Sequence, residues 1–192
     1  MSYGNRRALV GFLGQLDLRL GKSKGGPGHR TTIYLFGGAA AVVAYGAPRA
    51  TMDLDVLIEE ARVQDLLIEW GGPDSDLARR YGLHLQAANV TLMPIEDPDW
   101  RGRAVEVLKG EFSALKTMAL GKEDLVLSKL GRYSDKDRAD IQYLLEESGV
   151  DPSRLIRLFK SARRFYAGDL RSLDLTFNVV LREHFNRGPL AF

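Results

Sequence analysis

Residues 33–58 read IYLFGGAAAVVAYGAPRATMDLDVLI, and the fold is decided within this stretch. Ile33, Tyr34, Leu35 and Phe36 form a short β-prone apolar run. Gly37-Gly38 follows as a tight turn, and Ala39 to Tyr45 is a run of small helix formers closed by Gly46 and Pro48. The expected order is strand, glycine turn, buried helix and stop. Beyond Arg49-Ala50-Thr51-Met52, the segment Asp53-Leu54-Asp55-Val56-Leu57-Ile58 alternates polar and apolar positions before an apolar end. It predicts a second strand with both aspartates on one face, because side chains in a strand repeat every two residues.

Two carboxylates held this close form an unfavourable like-charge pair unless a cation sits between them. Mg2+ or Mn2+ is the natural choice, since either takes hard oxygen ligands and leaves positions open for phosphate oxygens. Glycines at the start of the preceding helix would let backbone N–H groups approach an anionic phosphate beside that metal. Each residue also has an ordinary structural reading, as a tight turn or a solvated strand face. The joint order of strand, turn, helix and strand is what points to phosphate chemistry.

Phe36-Gly37-Gly38 followed by Arg49-Ala50-Thr51-Met52-Asp53-Leu54-Asp55 resembles the signature of the DNA polymerase β-like nucleotidyltransferase superfamily. Its Arg-x-Thr-x-Asp-x-Asp form is similar to the AbiEii and MenT type of minimal nucleotidyltransferase, found as toxins of bacterial toxin–antitoxin and abortive-infection systems. Residues 123–141, containing Lys129, Arg132, Asp137 and Asp140, are similar to a second block of that family: a helix bearing lysine and arginine, then a basic-Asp pair and an Asp-apolar pair. The resemblance implies transfer of a nucleoside monophosphate from a nucleoside triphosphate to an acceptor hydroxyl, on tRNA or another RNA, with a cognate antitoxin as partner. It places catalysis on Asp53, Asp55 and Lys129, and the metal on Asp53 and Asp55. Nucleotide binding falls to Gly37, Gly38, Arg49, Thr51, Arg132, Asp137 and Asp140. The superfamily usually adds a third carboxylate from a neighbouring strand, and Val90-Thr91-Leu92-Met93 contains none. Glu106 is the leading candidate third metal ligand, with Glu96 and Asp97 behind it.

The remaining sequence bounds these expectations. The chain has 192 residues, 45% hydrophobic and 27% charged, which suits a globular protein and excludes a wholly disordered one. The absence of cysteine excludes a disulfide scaffold, a zinc ribbon and a thiol nucleophile, and suits a reducing cytoplasm. The first twenty residues lack an unbroken apolar core, and the apolar stretch at residues 34–47 falls short of a membrane span, so neither a signal peptide nor membrane association is expected. Gly21-Lys22-Ser23 lacks the glycine spacing of a phosphate-binding P-loop. His29, His84 and His184 are isolated from one another and show no metal-ligand spacing; His84 reads as a strand-edge residue.

Helical pattern is expected near the N-terminus and over residues 60–70, 76–81, 123–133 and 135–148, with Ser134 as N-cap of the last of these. Further helices open after Asp151 and run through residues 173–184. Strand-like runs lie near residues 83–86, 90–93, 103–108 and 114–120. The expected fold is therefore α+β: a nucleotidyltransferase-type mixed β-sheet flanked by helices over residues 1–121, then an all-helical C-terminal lobe over 122–192. The helix after Asp151 carries Arg154, Arg157, Lys160, Arg163 and Arg164 with no acid among them, which suggests a polyanion surface as readily as a solvated face. Two other functions fit the same residues: a catalytically silent nucleotide- or RNA-binding module, and the same transfer chemistry on a small-molecule acceptor.

Overall fold

In the computed structural model, which describes residues 6–23, 29–88, 99–147 and 149–192, the two expected strands of residues 33–58 lie side by side in a five-stranded mixed sheet. Strand β1 (Thr31–Leu35) pairs antiparallel with β2 (Asp53–Ile58) on one side. On its other side it pairs parallel with a strand at Leu115–Ala119. That strand is β5, numbered after β3 (His84–Ala87) and β4 (Val105–Val107), which form the two edges. β3 runs parallel to β2, and β4 antiparallel to β5.

The register sorts the sheet's side chains into two faces. Ile33, Leu35, Leu54, Val56, Leu85, Leu115, Thr117 and Ala119 alternate onto one face and are almost fully buried. The opposite face carries Tyr34, Leu57, Lys116 and Met118 and, toward the β3 edge, Asp53, Asp55, His84 and Gln86. A residue slipped by one place in β2 would turn both aspartates into the core, so the apolar alternation of Leu54, Val56 and Ile58 holds the acidic pair outward.

The described residues of Met1–Asn89 and Ala104–Leu120 form one compact unit, which contains the whole sheet. Helix α1 (Arg6–Lys22) buries Leu9, Phe12, Leu13, Leu16 and Leu20 and packs with α2 (Gly37–Tyr45), α3 (Ala61–Gly71) and α4 (Asp76–Tyr81). Asp17, on α1 and only 5% exposed, accepts hydrogen bonds from the backbone N–H groups of Ser113, Ala114 and Leu115 at 3.1, 2.7 and 2.8 Å and from the Ser113 hydroxyl at 3.2 Å. These bonds fix the entry into β5 and satisfy donors that would otherwise be stranded.

The described residues of Val90–Arg103 and Gly121–Phe192 form a second, helical unit. It comprises α5 (Trp100–Arg103), α6 (Lys122–Ser128), α7 (Asp135–Glu146), α8 (Pro152–Ala162) with a 3-10 turn at Arg163–Phe165, and α9 (Leu170–Phe185). Phe159 of α8 stacks on Phe177 of α9 at 3.8 Å between centroids, and Phe192 meets Phe159 edge-on. Ser134, Asp151 and Asp169 cap α7, α8 and α9.

Two expected boundaries move. α2 begins at Gly37, so the glycines are its first turn and not a separate loop. The helix expected over residues 123–133 ends at Ser128, and the chain turns through Tyr133, whose φ is +46°, before α7 begins. The strand expected at Val90-Thr91-Leu92-Met93, with Glu96 and Asp97, lies outside the described residues.

Candidate active site

The junction of α2 with β2 is built around two glycines that leave no room for a side chain. Gly37 has φ +53°, a left-handed conformation that glycine adopts without strain, and a Cβ there would lie 2.7 Å from Asp55 Oδ2. A Cβ on Gly38 would lie 2.7 Å from Arg49 Nη2 and 3.1 Å from Thr51 Oγ1. The carboxylate of Asp55, the guanidinium of Arg49 and the hydroxyl of Thr51 thus close directly on the backbone of the first helical turn. The Thr51 hydroxyl donates to the Asp53 carbonyl at 3.0 Å, and the Phe36 N–H donates to the Asp55 carbonyl at 2.9 Å, which ties the end of β1 to β2. Phe36, the N-cap, supplies no side-chain acceptor to α2. The opening amides and the dipole of this helix therefore favour an anion.

Asp53, at the start of β2, is half exposed. Across the β2–β3 pairing stands His84, whose Nε2 is 3.2 Å from Asp53 Oδ1. The alternation His84-Leu85-Gln86 puts both polar residues on the aspartate face, opposite Asp53 and Asp55 in register. The strand-edge reading of His84 fits its place on the edge strand β3, but it misses this partnership with Asp53. The available signal was that alternation, which matches that of Asp53-Leu54-Asp55.

Glu106 does not join them. It lies on β4, at the opposite edge of the sheet, and three inter-strand spacings, roughly 14 Å, separate β4 from β2. It shares the face of the aspartates but is too distant to hold the same ion, which corrects the expectation that it completes a metal site. No three His, Cys, Asp or Glu side chains converge as a metal cluster among the described residues. Asp53 and Asp55 supply the hard carboxylate oxygens that a divalent cation such as Mg2+ or Mn2+ takes while keeping positions for water and phosphate.

Residues 23–177 match the family described as nucleotidyltransferase of unknown function (DUF6036). The chain belongs to this family. No curated protein and no solved structure matches the chain. In this member of the nucleotidyltransferase family, the matched stretch takes in β1, α2 and β2 and extends through α8 into α9. No described helix is long and apolar enough to cross a membrane.

The second unit of this nucleotidyltransferase-family protein gathers Lys129, Arg132, Asp137 and Asp140 with one another. Lys129 is buried and donates to Asp140 Oδ2 at 2.6 Å, with Asp137 Oδ1 at 3.7 Å. Arg132 makes a two-pronged pair with Asp137 through Nε at 2.7 Å and Nη2 at 2.8 Å. Ser134 adds its hydroxyl and N–H to the same carboxylate. Burial pushes the Asp137 carboxyl up, but the bonds from Arg132 and Ser134, with Lys129 nearby, outweigh it and hold this group well below the usual carboxylate range. The four side-chain charges cancel, and together they order the turn between α6 and α7.

Of the five basic residues noted on α8 and the turn after it, two are engaged. Arg154 lies 3.6 Å from buried Glu123, and Arg163 makes a two-pronged pair with Asp174 at 2.6 and 2.7 Å. Arg157, Lys160 and Arg164 are exposed, and Phe165, next in sequence to Arg164, is 53% exposed.

Proposed function

We propose that this protein transfers a nucleoside monophosphate from a nucleoside triphosphate to an acceptor hydroxyl, with Mg2+ or Mn2+ as cofactor. The observation that carries this reading, in a member of a nucleotidyltransferase family, is the convergence of Gly37, Gly38, Arg49, Thr51, Asp53 and Asp55 on the first turn of α2 and the start of β2. Asp53 and Asp55 would hold the metal. When bound, the cation neutralises phosphate charge and polarises the reacting phosphoryl group.

The chain's own part is placement. The opening amides of α2 and the dipole of that helix receive phosphate oxygens, while the space over the two glycines is taken by Asp55, Arg49 and Thr51. Arg49, packed on Gly38, adds a positive charge at the same place. An acceptor oxygen then bonds to the α-phosphorus as the bond to the pyrophosphate oxygen breaks, and the acceptor's proton is released. Such a transfer depends on orientation and charge neutralisation more than on covalent chemistry. The reading gives Glu106 no place in the metal site. It treats Lys129, Arg132, Asp137 and Asp140 first as an ion-pair cluster; a phosphate role for Lys129 would require Asp140 to release it.

RNA, including tRNA, is the acceptor class favoured by the exposed Arg157, Lys160 and Arg164 and by the exposed Phe165 that follows them, residue types suited to phosphates and stacked bases. The likeness of the Arg49–Asp55 motif to AbiEii- and MenT-type proteins supports a toxin held in check by a cognate antitoxin, working in the cytoplasm where nucleoside triphosphates are made. A silent nucleotide- or RNA-binding protein is the second reading, favoured by the small number of metal-binding side chains around Asp53.

The test is transfer of label from each α-labelled nucleoside triphosphate into total RNA, with Mg2+ or Mn2+, comparing wild type with Asp53→Ala and Asp55→Ala. Transfer lost on the order of a hundredfold or more in both variants supports the enzyme. Metal-dependent nucleotide binding without transfer supports the silent reading. Wild type that binds neither a nucleotide with either metal nor RNA overturns both.

A further inference from the structure

We infer that a cavity between the start of α1 and the connection from α2 to β2 is a second, metal-independent nucleotide site, which takes a nucleoside monophosphate and, through Arg49, opposes binding of the triphosphate. The site itself stands apart from the aspartates; its effect on the triphosphate rests on the reading of the first turn of α2 as a phosphate cradle.

The cavity measures about 340 Å3 and lies wholly in the sheet-bearing unit. Ligand pockets run from roughly 300 to 1,000 Å3, so this one suits a single nucleotide unit. Its walls are the apolar residues Val42, Ala47, Pro48 and Ala50, and the charged residues that line it, among those described, are Arg6 and Arg49. The end of α2 beside it brings little negative charge. The Gly46 and Ala47 N–H groups donate to the carbonyls of Val42 and Ala41 at 3.2 and 3.0 Å, and the Arg49 N–H donates to the Ala47 carbonyl at 2.8 Å. Two arginines on an otherwise apolar cavity call for a ligand that is anionic at one end and flat and apolar over the rest. Guanidinium groups hold phosphate through paired N–H donors and stack on aromatic rings. A nucleoside monophosphate supplies both partners, with its phosphate on the arginines and its base against the apolar wall.

The sign of the coupling follows from Arg49, which belongs to both places. It lines the cavity, and its Nη2 lies 2.7 Å from where a Cβ on Gly38 would stand, on the helical turn that receives the triphosphate. Two anions drawn to one guanidinium repel each other. Occupancy of either site therefore weakens the other, and by the same factor in both directions. Arg6 touches the cavity from the start of α1 and has no part in the proposed transfer, so it separates the two sites experimentally.

The test uses the full chain and calorimetric titration with AMP, GMP, CMP and UMP in EDTA, with inorganic phosphate as the control for a bare anion. At least one monophosphate should bind without metal, about tenfold or more tighter than phosphate, because phosphate leaves the apolar wall uncovered. Arg6→Ala, at an exposed position, should weaken that nucleotide about tenfold and leave the affinity for a non-hydrolysable triphosphate with Mg2+ within about twofold of wild type. Asp53→Ala should leave monophosphate binding intact. In wild type, the monophosphate should weaken triphosphate binding about threefold or more, and Arg6→Ala should abolish that effect. The site is overturned if no monophosphate binds in EDTA, if phosphate binds as tightly, if Arg6→Ala and Arg6→Glu both bind like wild type, or if Asp53→Ala removes the binding. A monophosphate that binds through Arg6 but leaves triphosphate affinity unchanged overturns the coupling. If the monophosphate binds through Arg6 and wild type takes no triphosphate with either metal, the cavity site stands and the reading of the aspartates falls.

Discussion

The ammonium of Lys129 lies 2.6 Å from Asp140 Oδ2, and both side chains are more than nine-tenths buried. In such a setting the partner left behind matters more than the bond itself. Removing one charge of a buried pair strands the other and typically destabilises by about 3–5 kcal/mol. Lys129→Met should therefore lower the melting temperature by roughly 10 °C. The double variant Lys129→Met/Asp140→Leu should recover much of that loss, because no uncompensated charge remains. Thermal unfolding of the three proteins checks this, and a Lys129→Met protein as stable as wild type would show that the ammonium is not tied to Asp140 in solution.

Gly37 and Gly38 differ in what a methyl group would do. At Gly37 the backbone is left-handed, worth about 1 kcal/mol of strain for alanine, and the methyl would also meet the Asp55 carboxylate. At Gly38 it would meet the far end of Arg49, a flexible side chain that can swing away, and the Thr51 hydroxyl. Gly37→Ala should weaken both stability and metal-dependent nucleotide binding. Gly38→Ala should leave stability within about 1 kcal/mol and act mainly on nucleotide affinity, through a displaced Arg49. Melting curves and nucleotide titrations on the two variants separate the effects.

Much of the fold and part of the candidate site are legible in the sequence, and the boundary between the two is physical. The run from β1 to β2 is readable because its signals are local: a β-prone run, two glycines, small helix formers, then alternation around Asp53 and Asp55. His84 escapes notice because its partnership spans about thirty residues and depends on which strand pairs with β2. Glu106 shows the converse: its position on a short strand is legible, but nothing local says that β4 takes the far edge. The spacing of Lys129 and Arg132 suggests a shared helical face only if the helix continues, whereas α6 stops at Ser128 and both side chains turn to acids of the next helix.

Asp137 gives this protein a pH dependence whose sign is fixed. Its carboxyl titrates well below the ordinary value of about 3.9 when folded, held there by Arg132 and Ser134 against the opposing effect of burial. A group depressed in this way adds stability that is fully present above its unfolded pKa and is lost as pH falls toward the folded one. Stability should thus decline on acidification below about pH 4. Asp137→Asn should be less stable at pH 7 and show a shallower decline over the same range. Urea unfolding at several pH values measures both slopes, and parallel curves would contradict the assignment.

Asp17 is expected to be the most demanding single position in the sheet-bearing unit. Its two oxygens accept four hydrogen bonds, three of them from the backbone entering β5. Asn replaces one acceptor with an N–H2 group, which would point donors at donors; Ala removes both acceptors and leaves buried N–H groups unsatisfied, at about 1–3 kcal/mol each. Asp17→Asn should therefore destabilise almost as much as Asp17→Ala, although its shape is conserved. Hydrogen exchange gives the sharper readout: the Ala114 and Leu115 amides should lose protection in both variants before the rest of β5 does. If Asp17→Asn matched wild type, the anchor would rest on shape alone, and the buried carboxylate would have to be explained otherwise. The connection to function is direct, because β5 is the parallel neighbour of β1, and β1 delivers the chain to the glycine turn at Gly37. Loosening the entry to β5 should lower nucleotide affinity without altering any residue of the proposed site.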